Sequence, residues 1–307
     1  MSTPQAVDAP LTRAAVFLTA TVREGREAEE AVRSALGALP GLVRAVGFRE
    51  PDERLSCVVG IGSGVWDRLT GLPHPALLHP LAPVHGSVHT APATPGDLLF
   101  HLRADRGDLC FELERLLMER LGGHVDVVDE TVGFRSFDSR DLLGFVDGTE
   151  NPTGTDALAS TVVADGPDAG GSYLVGQRYL HDLVAWESIP LEVQQHIIGR
   201  SKIDDVELEP PAGERPSHRA LATIVDDSGV EHDIVRDNMP FGRPGHGEFG
   251  TYFLGYSRDP GVIEQMLHRM FVGEPAGSYD RMLDVSRATT GALFFAPPAE
   301  LLESLAP

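Results

Sequence analysis

The chain has 307 residues, of which 42% are hydrophobic, and its 25 lysine and arginine residues face 46 aspartate and glutamate residues, for a formal net charge of -21. The length predicts one large domain or two modest ones, and the hydrophobic content is sufficient for a full core, which excludes global disorder. A surface this acidic repels nucleic-acid phosphates and anionic lipids, so we expect no nucleic-acid partner and no membrane partner.

The chain has only two cysteines, Cys57 and Cys110, which are too few for a disulfide scaffold or a cysteine metal site. No run of apolar residues is long enough to predict a membrane-spanning helix. Residues 1–10 show no basic segment followed by an apolar one, as an export signal requires. The sequence therefore predicts a cytoplasmic protein.

The first half of the chain has the pattern of alternating strands and helices. Residues 14–22 are an apolar run rich in β-formers and predict a strand, and residues 25–38 predict a helix that ends near Pro40. The proline-rich residues 71–96 predict a long ordered loop. The other segments predict strands at 42–48, 56–61, 98–102 and 124–132 and helices near 64–70 and 107–121. Without its insertions, this is the β-α-β-β-α-β order of a ferredoxin-like unit.

The second half repeats that pattern without obvious sequence identity to the first. It predicts strands near 172–180, 219–226, 233–238, 251–257 and 292–296 and helices near 190–199 and 260–272. The predicted fold class is therefore α+β, with two ferredoxin-like halves whose antiparallel sheets have helices packed on them. The predicted domains are residues 1–137 and residues 138–307.

Two segments have features of ligand sites but are assigned none. The histidines of the proline-rich loop match no zinc spacing, so a covering loop with partly buried imidazoles is the favoured interpretation; they are His74, His79, His85 and His89. Residues 60–64, Gly-Ile-Gly-Ser-Gly, lack the Gly-Lys-Ser/Thr ending of a phosphate loop. They are interpreted as a strand-to-helix turn.

Asp147 follows the apolar residues Leu-Leu-Gly-Phe-Val and precedes Gly148. An Asp-Gly pair is common in turns, which is the ordinary interpretation of the dipeptide. The apolar neighbours favour a functional interpretation over a simple turn. They draw the carboxylate towards the interior, where an ionised group needs a partner or a chemical use. The glycines on both sides also allow a flat ligand to approach the backbone closely.

Two residues later in the chain, His218 and Arg236, belong together with Asp147. His218 lies in a segment predicted to open a strand, and Arg236 lies in the next predicted strand. Each residue alone has an ordinary interpretation, as a strand-end histidine and as a surface arginine paired with an acid. The Gly-x-x-Asp-Gly pattern at 144–148, the histidine 71 residues after Asp147 and the arginine 18 residues after the histidine together resemble the haem site of dye-decolourising peroxidases.

The resemblance extends over nearly the whole chain, through residues 170–175, 198–202, 279–283 and 290–295. The length and the lack of a visible export signal are most similar to the short, cytosolic bacterial type B branch. The resemblance implies hydrogen peroxide as the oxidant and a bulky one-electron donor that the sequence does not identify, and we expect a homo-oligomer. Some members have a C-terminal tail that loads them into a protein nanocompartment; no such tail is visible, so we do not expect this partnership.

The resemblance implies haem b as the cofactor, one iron protoporphyrin IX per chain, bound in the C-terminal half. His218 would be the iron ligand, since a neutral imidazole leaves the sixth position of ferric iron open for peroxide. The family pairs this histidine with a carboxylate, which gives the ring imidazolate character. Asp280 occupies the matching position, and Asp284 is the alternative.

On the other face of the haem, the resemblance assigns Asp147 and Arg236. Asp147 would take a proton from one peroxide oxygen and return it to the other. The guanidinium of Arg236 would stabilise the negative charge of the peroxide. Asn238 would order the distal water, and Arg200 would bind a haem propionate. Gly148 and Thr149 would contact the haem.

Two alternatives stay open at this point. A haem-handling protein, either a carrier or an enzyme that removes iron from haem, would use His218 and Arg200 but would not need Asp147 or Arg236. The other alternative is a haem-free α+β binding protein, in which the spacing of Asp147, His218 and Arg236 is coincidental.

Overall fold

The computed structural model describes residues 2–208 and 213–306. Its first half contains β1 (Ala14–Val22), α1 (Arg26–Gly47), β2 (Ser56–Gly62), α2 (Trp66–Thr70), β3 (Val84–His85), β4 (Thr90–Ala91), β5 (Leu98–Ala104), α3 (Gly107–Leu121) and β6 (Val125–Phe134). Its second half contains α4 (Thr155–Thr161), β7 (Ser172–His181), α5 (Leu183–Ser188), α6 (Leu191–Ile198), α7 (His218–Ala222), β8 (Ile224–Val225), β9 (Glu231–His232), β10 (Val235–Arg236), β11 (Met239–Arg243), β12 (Glu248–Ser257), α8 (Pro260–Phe271), β13 (Ser286–Ala288), β14 (Ala292–Ala296) and α9 (Ala299–Ser304).

Helix α1 is longer than predicted, because it continues through Pro40 to Gly47. Its buried residues keep helical spacing on both sides of the proline, with Leu36 and Leu39 before it and Leu42 after it. The burial of this one apolar face outweighs the loss of a backbone donor at the proline. The predicted strand at 42–48 is therefore wrong.

Each half of the chain forms a ferredoxin-like antiparallel sheet. The strand order is β2-β5-β1-β6 in the first half and β10-β12-β7-β14 in the second. Strand β14 also pairs with β2, with Phe294 opposite Gly62 and Phe295 opposite Ile61. This pairing joins the halves into one ten-stranded sheet that includes β11 and β13. The predicted fold class is confirmed.

The joined sheet curls back on itself. Phe17 of β1 and Tyr252 of β12 stack with their ring centroids 4.1 Å apart. Their strands are five positions apart in the sheet, which in a flat sheet would separate them by about 24 Å. Gly133 of β6 also lies so close to Met239 of β11 that a Cβ atom on the glycine would lie 2.5 Å from the methionine Cβ. One face of the sheet therefore encloses a core between the two halves.

Helices cover the outer face of the sheet. Helices α1 and α3 pack on the strands of the first half, and α8 packs on β7 and β12 of the second. The proline-rich segment of the first half crosses onto α8, where His79 Nε2 lies 2.7 Å from Glu264 Oε1. No helix in residues 2–208 and 213–306 is long and apolar enough to cross a membrane.

Two long connections of the second half, residues 135–171 and residues 182–234, carry several of the sequence-predicted site residues. The predicted strand at 219–226 is wrong, because His218–Ala222 form helix α7 and only Ile224–Val225 form a strand, β8. Ser217 begins α7 as its N-cap residue, since its hydroxyl accepts a hydrogen bond from the Ala220 amide (3.3 Å). This cap places His218 at the first position of the helix.

Candidate active site

A cavity with about 1150 Å³ of empty space lies in the second half of the chain. Its apolar lining comes mainly from α8 and neighbouring elements: Phe253, Ile263, Met266, Leu267 and Met270. Seven of the eight sequence-predicted site residues line it, namely Asp147, Gly148, Thr149, Arg200, His218, Arg236 and Asn238. The eighth, Asp280, lies behind His218. The structure therefore brings together residues that are far apart in the chain.

His218 is held by Asp280. The histidine Nδ1 lies 2.6 Å from Asp280 Oδ2, and the Asp280 side chain is fully buried. The other carboxylate oxygen accepts a hydrogen bond from the Met282 amide (2.9 Å), which fixes its direction. Because Nδ1 donates to the carboxylate, the neutral ring has a free lone pair on Nε2, and the ring lines the cavity. Nε2 is therefore available as a ligand atom.

The Asp280 carboxylate also sets the charge state of His218. Burial by itself lowers the pKa of His218, but the charge and hydrogen bond of Asp280 outweigh it and raise the pKa above its ordinary value. The sequence alternative, Asp284, does not reach His218. It contacts His89 Nε2 (3.0 Å) and the Tyr279 hydroxyl (3.1 Å) instead.

A second histidine, His181, lines the same cavity but has no free ring nitrogen. Its Nε2 lies 2.9 Å from the Thr251 hydroxyl and its Nδ1 lies 2.8 Å from the Ser286 hydroxyl. Burial lowers its pKa to about 4, so the ring is neutral near pH 7. Of the two histidines, only His218 presents an uncommitted nitrogen to the cavity.

Asp147 lies at the end of a tightly anchored loop. The Asp141 carboxylate accepts a hydrogen bond from the Phe145 amide (2.9 Å), and Trp186 Nε1 donates to the Leu143 carbonyl (2.9 Å). Leu143 and Phe145 are buried in a cluster with Trp186. The apolar residues before Asp147 thus anchor the loop in the protein, and Asp147 is left facing the cavity.

Two glycines of this loop are needed for its backbone path. Gly144 and Gly148 have φ angles of 91° and 85°, a region that other residues rarely adopt. A Cβ atom on Gly144 would also lie 2.4 Å from the Lys202 side chain, and one on Gly148 would lie 3.0 Å from the Leu11 side chain. The Gly-x-x-Asp-Gly pattern therefore encodes a turn that presents the aspartate.

Strand β10 and the residues after it bring Arg236 and Asn238 to Asp147. Asn238 Nδ2 donates to Asp147 Oδ1 (3.4 Å), while its Oδ1 accepts from the Leu254 amide (3.4 Å). Arg236 lines the cavity and its Nε is buried without a hydrogen-bond partner among the described residues. A buried guanidinium N–H without an acceptor is costly, so this position suits an anionic or polar ligand.

Asn151, which the sequence analysis did not single out, binds the backbone of Arg236. Its Nδ2 donates to the Arg236 carbonyl (2.7 Å), and its Oδ1 accepts from the Arg236 amide (2.9 Å). The side-chain amide thus imitates a neighbouring β-strand. The only signal in the sequence was that Asn151 follows the Asp-Gly pair by three residues.

Three arginines converge on Glu150 at the rim of the cavity. Arg200 Nη1 (2.8 Å), Arg219 Nε (2.7 Å) and Arg236 Nη2 (3.5 Å) all approach its carboxylate. Burial by itself raises the pKa of Glu150, but the arginines outweigh it and hold the pKa below its ordinary value. Arg200 also binds Asp205 (2.6 Å), so its guanidinium is more fully engaged than a simple propionate clamp requires. The sequence analysis missed Arg219 and Glu150.

These residues fit a haem. A haem needs a large apolar cavity, a ligand atom for its iron and cations for its two propionates. The cavity offers apolar walls, the free Nε2 of His218 and the arginines around Glu150. The unpartnered Arg236 Nε adds a donor for a small oxygen ligand.

Comparisons with known proteins cover both halves of the chain. The family model "Dyp-type peroxidase, N-terminal" matches residues 4–135, and "Dyp-type peroxidase, C-terminal" matches residues 138–301. A dye-decolorizing peroxidase of Mycobacterium tuberculosis is 54% identical over 302 residues, which cover 98% of this chain and 90% of that protein.

Two solved structures are similar over essentially their whole length. One is a variant of DypB from Rhodococcus jostii RHA1 in complex with heme, with 52% identity, a TM-score of 0.95 and coverage of 99% of both chains. The other is the encapsulated DyP-type peroxidase of Mycobacterium smegmatis, with 54% identity, a TM-score of 0.95 and coverage of 100% of this chain and 99% of that one. The chain therefore belongs to the Dyp-type peroxidase family and is a haem-dependent peroxidase that uses hydrogen peroxide.

Proposed function

We propose that His218 is the iron ligand and that Asp147, Arg236 and Asn238 activate peroxide in this haem peroxidase. The observation that supports this assignment best is the 2.6 Å contact between His218 Nδ1 and the buried Asp280 carboxylate, which leaves Nε2 free in the cavity. When bound, haem supplies the redox centre that takes oxidising equivalents from peroxide and passes them singly to donors. Asp280 makes the His218 ring more basic and fixes its orientation.

Asp147 and Arg236 divide the work on peroxide. Asp147 takes a proton from one peroxide oxygen and returns it to the other, a task that a carboxylate beside the substrate can perform. Asn238 holds Asp147 Oδ1 by its amide, which leaves Oδ2 to exchange the proton. Arg236 provides a fixed positive charge, and its unpartnered Nε donates to the peroxide anion.

The rim of the cavity holds the haem periphery. Arg200 and Arg219 provide the positive charge that binds the propionates. Both guanidinium groups contact the Glu150 carboxylate. Gly148 and Thr149 line the cavity beside Asp147, where they would contact the haem.

The remaining parts of the proposal concern the whole protein. We divide the chain into domains 1–137 and 138–307, which is supported by a cavity lined entirely by the second segment. The donor is a bulky one-electron donor that is oxidised from outside the cavity. The protein is a cytoplasmic homo-oligomer. Sedimentation analysis tests the oligomer, and cell fractionation tests the location.

A matched pair of histidine variants tests the central assignment. Purified protein is loaded with haem, its absorption spectrum is recorded, and the change on rapid mixing with peroxide is followed. His218→Gln should lose the spectrum of a histidine-ligated ferric haem and retain little haem, because glutamine does not replace an imidazole ligand. His181→Gln should keep both, because the ring nitrogens of His181 are engaged by Thr251 and Ser286. A normal spectrum in His218→Gln would refute the assignment.

A further inference from the structure

A fully buried group of polar side chains lies in the core between the two halves, outside the cavity. It consists of His101 and Arg103 from β5, Asp237 from the segment after β10, and Tyr256 from β12, all with 0% exposure. Arg103 Nη1 donates to Asp237 Oδ2, and Arg103 Nη2 donates to the Ala6 carbonyl. His101 Nδ1 lies 2.7 Å from the Tyr256 hydroxyl, and its Nε2 lies 3.8 Å from Asp237 Oδ2. None of the four lines the cavity.

Asp237 is the chain neighbour of two proposed catalytic residues, Arg236 and Asn238. In extended backbone, successive side chains point to opposite sides. Asp237 points into the core and meets Arg103, whereas Arg236 and Asn238 point to the cavity. A shift of this segment by one residue would exchange the two sides, because the side-chain period of a strand is two.

Strand β10 is only two residues long, lies at the edge of the sheet, and pairs with β12 through Val235 opposite Tyr256 and Arg236 opposite Gly255. The same register continues after it, because the Asp237 amide donates to the Leu254 carbonyl (2.9 Å) and β11 also pairs with β12. Asn151 adds two hydrogen bonds to the Arg236 backbone from the outer side. The ion pair with Arg103 adds a side-chain contact on the inner side, in the core.

A buried ion pair is a specific constraint. A charge without water needs its partner at one defined place, so Asp237 has little freedom to move away from Arg103. Asp237 Oδ1 and His101 Nε2 are buried without hydrogen-bond partners among the described residues, so this group is not arranged for stability alone. The constraint falls on the one residue between Arg236 and Asn238.

We propose that Arg103 and Asp237 are positioning residues for the peroxide reaction. Their ion pair holds the segment that carries Arg236 and Asn238 against the core, and through it the first half of the chain takes part in the reaction without contacting peroxide. This inference rests on the proposed role of Arg236 as the charge donor to the peroxide anion.

The test compares Asp237→Asn in two backgrounds, the natural protein and Arg236→Leu. The measured quantity is the dissociation constant of fluoride from the ferric, haem-loaded protein, because fluoride is a small anion that binds the iron and accepts hydrogen bonds from a nearby guanidinium. We expect Asp237→Asn to weaken fluoride binding by about tenfold in the natural background, the size of a typical coupling between contacting residues, and by less than about twofold when Arg236 is absent. The rate of reaction with peroxide should follow the same pattern.

Equal losses in both backgrounds, or no loss in either, would overturn the proposal, because Asp237 would then not act through Arg236. If Arg236→Leu alone changes neither fluoride binding nor the peroxide rate, the proposed role of Arg236 is wrong instead. Tyr256→Phe is the matched control, since it removes the hydrogen bond to His101 from the same buried group and leaves the ion pair in place. It should bind fluoride normally.

A paired variant covers the case in which Asp237→Asn does not fold. Arg103→Met combined with Asp237→Asn leaves no unpaired buried charge, so its unfolding temperature should lie close to that of the natural protein. Its fluoride affinity should remain about tenfold lower, because the methionine no longer fixes the strand. Fluoride affinity equal to that of the natural protein would show that the ion pair does not position Arg236.

Discussion

Replacement of Asp280 by asparagine should raise the reduction potential of the haem-loaded protein. The buried Asp280 carboxylate lies 2.6 Å from His218 Nδ1, and its negative charge favours the more positive, ferric state of an iron bound at Nε2. A hydrogen bond to a charged group is worth about 1.5–3 kcal/mol and a neutral one about 0.5–1.5 kcal/mol, so the charge contributes about 1 kcal/mol. For a one-electron couple this corresponds to a rise of about 45 mV.

The assay is a spectroelectrochemical titration of the ferric and ferrous absorption bands. Asp284→Asn is the control, because this carboxylate lies four residues further on but contacts His89 and Tyr279 rather than His218. Its potential should equal that of the natural protein. A potential in Asp280→Asn that is unchanged, or that falls, would refute the reasoning that the Asp280 charge acts on the iron through His218.

Three further predictions follow from the cavity. Arg236→Leu should slow the reaction with peroxide more than Asp147→Asn does, because a water can relay a proton but no neutral group replaces the charge of Arg236. Stopped-flow absorption measures both rates, and a larger loss in Asp147→Asn would reverse the ranking. Arg200→Ala should weaken haem binding by about tenfold, which is about the contribution of one charged hydrogen bond, and should leave the peroxide rate per bound haem unchanged. A fluorescence titration of the haem-free protein measures the affinity, and an unchanged value would contradict a role at the propionates. Haem affinity should fall as the pH drops below the raised pKa of His218, because iron binds the neutral ring. The stability that the Asp280 pair gives the haem-free protein is fully present below the unfolded pKa and is lost as the pH rises through the raised folded one. Asp280→Asn should move the fall in haem affinity to lower pH and remove this stability, and an unchanged pH profile would contradict the assignment.

The fold could be predicted from periodicity except where tertiary packing decides the local structure. The strands of both sheets have apolar runs that mark them, and the halves repeat one order of elements. Pro40 indicated the end of helix α1, yet the helix continues because Leu42 extends the buried face formed by Leu36 and Leu39. Residues after Ser217 were predicted as a strand, yet they form helix α7, and the N-cap serine was the signal that the prediction missed.

The site could be predicted only through the resemblance to a family. Asp147, His218 and Arg236 lie far apart in the chain, and nothing in their spacing alone indicates that they share a cavity. Contacts that depend on a side chain reaching a distant backbone, such as those of Asn151 with Arg236, have no periodicity and leave no mark in the sequence. The same holds for Arg219, whose binding to Glu150 requires the folded rim.

The pairing of β14 with β2 has a consequence for synthesis on the ribosome. Strand β2, in the first half alone, forms an edge of that half's sheet, whereas its second neighbour, β14, is synthesised more than 200 residues later. An unpaired edge is a template for pairing with another chain. During synthesis the β2 edge is therefore exposed to aggregation, and chaperone binding or a pause in translation would act there before β14 closes the seam.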